Sequence, residues 1–111
     1  MNIGVLFSLG VLYVTLDQAE EARDILLKVN MFRPFYEPYM VALAICHFQL
    51  GDFSKSLLII DECVKLSDVT PLAYIVGAFL HLEFRSKKKS SDCILSKNLL
   101  AISSLDKSNL I

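Results

Sequence analysis

Apolar and mixed stretches alternate along the chain. Ile3 to Leu16 is almost wholly apolar, as are the residues from Met40 to Leu50 and from Ile75 to Leu82. Between them, residues 18–30 and 53–66 mix charged and apolar positions. The punctuation agrees with a series of helices. Asp17 followed by Glu20 resembles a capping box and predicts a helix over about 18–30. Arg33-Pro34 breaks the chain, and Glu37-Pro38 opens the next helix with proline in its first turn. Gly51-Asp52 reads as a turn, with Asp52 capping a helix over about 53–66. Thr70-Pro71 repeats the start signal for a helix running to about Phe84. The polar run Arg85-Ser86-Lys87-Lys88-Lys89-Ser90-Ser91 reads as a loop. Ser91-Asp92 then caps a last helix carrying Leu95, Leu99 and Ile102, with a tail at 105–111.

The same pattern is an internal repeat. Leu9–Ala22 superimposes without a gap on Leu43–Ser56 at a shift of 34 residues. The shift also takes Met40 to Tyr74, Ala44 to Ala78 and His47 to His81. An all-α chain of three stacked helix pairs follows, at about 3–34, 37–68 and 71–104.

Composition changes this picture in one respect. The chain has 111 residues, enough for one domain, and 54% of them are apolar. That exceeds the usual ~45–50% and leaves apolar surface to be covered by a dense core or by a partner. A net charge of −1 gives no pointer to nucleic acid or an anionic membrane. The run Ile3–Leu16 lacks a basic flank and a small-residue cleavage site, and is shorter than the ~20 residues that span a bilayer. A buried helix is the better reading. Cys46, Cys63 and Cys93 form no Cys-x-x-Cys pair, which argues against a disulfide framework or zinc site and for a reducing compartment.

No catalytic constellation stands out. His47 and His81 share the register slot of Tyr13, where a half-polar ring packs between paired helices. Asp17, Glu20, Glu21 and Asp24 sit at a helix start, where they favour the macrodipole. Lys87–Lys89 lack the spread of charge and the interleaved aromatics of a nucleic-acid site. Neither a cofactor nor a metal is implied.

On these residues the chain resembles the tetratricopeptide repeat (TPR) family. Its 34-residue pattern is matched by Leu6, Leu9, Gly10, Tyr13, Ala22, Leu26 and Pro34 in the first copy. The second supplies Met40, Leu43, Ala44, His47, Gly51, Ser56, Ile60 and Cys63. The third supplies Tyr74, Gly77, Ala78 and His81. Asp17 stands where glycine is usual and Asp68 where proline is usual. The resemblance implies a right-handed solenoid whose concave face is lined by the first helix of each pair. Those positions hold Gly4, Phe7, Val11, Val14 and Thr15, then Pro38, Val41, Ile45, Phe48 and Gln49, then Leu72, Ile75, Phe79, Leu82 and Glu83. Almost all are apolar, so these helices are hydrophobic nearly all round. A carboxylate clamp, which needs Lys, Asn and Arg there, is unlike this face. Helix-in-groove recognition suits it.

In size and plan the chain further resembles the type III secretion chaperones of the YscG/PscG needle-chaperone type. That resemblance implies a bacterial cytoplasmic protein-binding module, not an enzyme and not inserted in a membrane. Its client would be the amphipathic helix of a needle-type subunit, kept from polymerising early, with a small helical co-chaperone alongside. Phe7, Val11, Val14, Val41, Ile45, Phe48, Leu72, Ile75, Phe79 and Leu82 would line the groove. An export regulator of the YscY type, a TPR scaffold and a self-associating subunit are the alternatives.

Overall fold

The computed structural model of the chain describes residues 2–66 and 68–96, with side chains as far as Lys88. These residues form helices and turns only. The helices are α1 (Ile3–Thr15), α2 (Ala19–Phe32), α3 (Glu37–Gln49), α4 (Phe53–Cys63) and α5 (Pro71–Ser96). The chain divides into two compact units, Met1–Leu80 and His81–Ile111. In the first, α1 packs on α2 and α3 on α4, while α3 also meets α2 and α1.

The helix ends are set by local chemistry. Asn2 caps α1, its Oδ1 accepting from the amides of Gly4 at 2.7 Å and Val5 at 3.2 Å. Thr70 caps α5 as its sequence predicts: Oγ1 accepts from the Leu72 amide at 3.3 Å, and Pro71 follows as the first helical residue. The turn after α1 and the turn after α3 are the same object, 34 residues apart. Asp17 N–H donates to Val14 O at 3.1 Å and Gln18 N–H to Tyr13 O at 2.9 Å. Gly51 N–H donates to Phe48 O at 3.0 Å and Asp52 N–H to His47 O at 2.9 Å. Both are Schellman motifs, which need a left-handed residue just past the helix. Asp17 supplies it at φ 61° and Gly51 at φ 85°.

That geometry corrects the capping reading. Asp17 is the left-handed residue, so the N-cap of α2 falls to Gln18, and Asp52 stands at the N-cap of α4. Neither side chain makes a capping hydrogen bond. The backbone requirement at the end of one helix overrides the side-chain preference at the start of the next.

The core follows the repeat. Ala22 and Ser56, Leu26 and Ile60, and Val29 and Cys63 are three pairs related by the shift, and all six are fully buried. Gly10 lets α1 approach α2 closely: a Cβ there would sit 2.7 Å from Leu26 Cδ2. Its counterpart Ala44 is equally buried, and its carbonyl accepts from the Ser56 hydroxyl at 2.6 Å.

The third copy departs from expectation. Residues 85–91 are not a loop; α5 continues through them to Ser96. Arg and Lys are good helix formers, and no glycine or proline follows Gly77 to stop the helix. Lys87 and Lys88 are exposed on it. His81 is exposed as well, unlike buried His47. The rest of the expected last helix and the 105–111 tail lie outside the described residues.

Candidate functional site: an apolar groove between α3 and α5

The three first helices carry the expected lining residues to different depths. On α1, Phe7, Val11 and Val14 are half-buried. The Phe7 ring lies 4.8 Å from Tyr39, and Phe7 and Val14 pack on the core around Ala19, Ala22, Leu26, Leu43 and Cys46. On α3, Val41 is buried and Ile45 half-buried. Phe48 is buried too, with its ring 4.7 Å from Phe53 at the start of α4. Little of Val41 or Phe48 remains for a partner. On α5 the surface opens: Leu72, Ile75 and Phe79 are 51%, 64% and 57% exposed. Leu82 is also exposed, but it belongs to the second unit.

The open part forms a groove of about 350 Å³ lined by Ile45, Phe48, Gln49, Ile75, Val76, Phe79 and Leu80. Ile75 and Phe79 lie four residues apart and share one face of α5. Gln49 brings in the only polar side chain, and its Nε2 already donates to Val14 O at 3.2 Å. That bond ties α3 to the end of α1. Among the described residues no charged side chain lines the groove.

A second, larger cavity of about 490 Å³ lies where the α2–α3 and α4–α5 connections meet, lined by Arg33 to Pro38 with Leu66, Asp68 and Thr70. The Glu37 carboxylate accepts from the Thr70 amide at 3.0 and 3.1 Å and from the Thr70 hydroxyl at 2.7 Å. Glu37 begins α3 and Thr70 precedes α5, so the clamp fixes the starts of these two helices against each other. Arg33 stacks its guanidinium 3.8 Å above the Tyr36 ring. Phe35 holds φ 63°, a costly conformation for an aromatic residue. Nothing in the sequence flags Phe35.

Cys46, Cys63 and His47 are buried in the core. Burial pushes the Cys46 thiol above its ordinary value, and its Sγ donates to Ala19 O at 3.1 Å. Burial likewise raises Cys63. Both are poor nucleophiles at neutral pH. Burial, reinforced by Lys55 and Arg23 and opposed by Asp52, holds His47 below its ordinary value, so the imidazole is neutral at pH 7. Among the described residues no group of three or more His, Cys, Asp or Glu could hold a metal ion. No helix among them is long and apolar enough to cross a membrane.

No family model, curated protein or solved structure matches the chain.

Proposed function

We propose that the chain is a non-catalytic, TPR-like protein-binding module. Its groove between α3 and α5 takes the apolar face of an amphipathic helix from another protein. The observation that carries this reading is the groove itself: uncharged, continuous over two helices, and flanked by Leu72, Ile75 and Phe79 with more than half their surface free. A helix presenting apolar residues at i, i+3, i+4 and i+7 complements such a site. The particular role proposed is that of a type III secretion chaperone for a needle-type subunit, whose amphipathic helix an uncharged groove would suit. Sequestering the client's sticky helix would keep that subunit from polymerising.

The binding step is tested with a fluorescein-labelled amphipathic helical peptide of about 20 residues, read by anisotropy against a scrambled peptide of the same composition. Burying the free part of Phe79, on the order of 100 Å², contributes roughly 2.5 kcal/mol. Phe79→Glu should therefore weaken binding at least ~tenfold while leaving helicity unchanged. Equal affinity for the scrambled peptide, or no loss with Phe79→Glu, would sink the groove reading. The chaperone role is tested by co-expression with a needle-type subunit. The expected product is a soluble complex in which the subunit stays unpolymerised. Polymerisation at the rate seen without the chain would count against the role.

A further inference from the structure

A second apolar surface lies on α1, away from the groove residues. Val5, Leu9, Leu12 and Leu16 are 61%, 39%, 50% and 56% exposed. They are spaced 4, 3 and 4 residues apart and so form one seam along the helix, the spacing used when helices pack on helices. The repeat-related positions on α3 and α5 differ from this seam in burial. The shift of 34 residues takes Val5, Leu9 and Leu12 to Tyr39, Leu43 and Cys46, and a second shift takes them to Ala73, Gly77 and Leu80. All six of these counterparts are buried. They are covered by the second helix of the pair before: Cys46 reaches Ala19 of α2, and Gly77 backs onto Ile60 of α4. On α1 the same positions are open.

We infer that this seam is a homodimer surface, on which α1 of one copy packs antiparallel to α1 of a second copy about a twofold axis. Three features single out a second copy as the occupant. The 4-3-4 spacing reads the same in both directions. An antiparallel pair therefore sets Val5 against Leu16 and Leu9 against Leu12, each twice, as a twofold contact requires. Next, Ile3–Thr15 contains no charged residue, so the face meets itself without repulsion. Finally, Asp17 lies just past the C-cap of α1, so an antiparallel pair brings Asp17 of each copy to the N-terminal end of the other's α1. The carboxylate then stands at the positive end of the partner's helix. Four side chains about half exposed make a patch of a few hundred Å². Two such patches fall below the ~1,200 Å² of a stable complex, so the dimer is weak and concentration-dependent.

Sedimentation velocity on the full chain from about 5 µM to about 500 µM should show reversible dimerisation across that range. Leu9→Glu or Leu12→Glu, each with unchanged helicity by circular dichroism, should raise the dissociation constant at least ~tenfold. The double variant Leu9→Lys with Leu12→Glu sets opposite charges across the axis twice, and should dimerise again at low salt. A monomer at every concentration would overturn the inference. So would dimerisation indifferent to both single variants. A double variant no better than the singles would show that the contact is not twofold. Phe79→Glu should leave dimerisation intact, while the α1 variants should leave peptide binding intact. Loss of the dimer in Phe79→Glu alone would reassign self-association to the groove.

Discussion

Gly51→Ala tests the repeated turn, because its effect is confined to the backbone. Gly51 holds φ 85°, and a Cβ added there meets nothing within 4 Å. No clash, lost packing or cavity enters the comparison. What remains is the cost of holding an L-residue in the left-handed region, about 1–2 kcal/mol. The two Schellman hydrogen bonds, from Gly51 N to Phe48 O and from Asp52 N to His47 O, oppose any escape to another conformation. Gly51→Ala should therefore destabilise by about 1–1.5 kcal/mol, lowering Tm by roughly 5 °C for a chain of this size. Gly51→Asp should cost less, since aspartate tolerates this region and Asp17 already occupies it at the matching position. The reciprocal change Asp17→Gly should raise stability by about 0.5–1 kcal/mol. Urea and thermal unfolding followed by circular dichroism measure all three. A neutral or stabilising Gly51→Ala, or an Asp17→Gly that destabilises by more than ~1 kcal/mol, would refute the equivalence of the two turns.

Glu37→Ala removes three hydrogen bonds to Thr70, one of them from the hydroxyl. The site is partly solvated, so the expected loss is about 1–2 kcal/mol, read as a shift in the urea midpoint without a change in slope. Leu12 and Leu80 share a register position, but Leu80 is 2% exposed and Leu12 half exposed. Leu80→Ala should cost about 2–5 kcal/mol and Leu12→Ala about 1, compared in dilute solution where self-association does not contribute. His47 is held below its ordinary 6.5 by burial, so the unfolded chain takes up the proton first. Its contribution to stability is complete above about pH 6.5 and is lost as pH falls below that. Urea midpoints measured from pH 7.5 down to 5 should drop in the native chain and drop less in His47→Gln.

Much of the helix series is legible in the chain because it depends on local chemistry. Proline near the first turn marks the start of α3 and α5, and a threonine hydroxyl at position 70 meets the amide two residues on. The alternation of small and large residues, Ala22 and Leu26 then Ser56 and Ile60, repeats along the chain, and all four side chains are fully buried. Asp17 is read less well. A sequence shows an acidic residue before a helix and suggests a cap. The preceding helix instead needs a left-handed residue there, and aspartate is one of the few side chains that accept it.

What the sequence determined by itself is therefore the helical class and the starts of α2 to α5, which depend on neighbours a few residues away, together with the 34-residue recurrence; the further start expected at Ser91-Asp92 falls inside α5. What only the tertiary structure decided is depth. Val41, Ile45, Ile75 and Phe79 read alike as apolar positions of one face, yet Val41 is buried while Ile75 and Phe79 are open. Burial depends on what another helix brings across the gap, and no local pattern encodes it. The same holds for α1: Leu12 and Leu80 carry the same residue in the same register, and only the packing of α4 against α5 sets one inside and leaves the other outside. Polarity misled at residues 85–91 for a related reason. A helix needs its backbone hydrogen bonds satisfied, not a buried face, so a run of Arg, Lys and Ser without glycine or proline simply continues it.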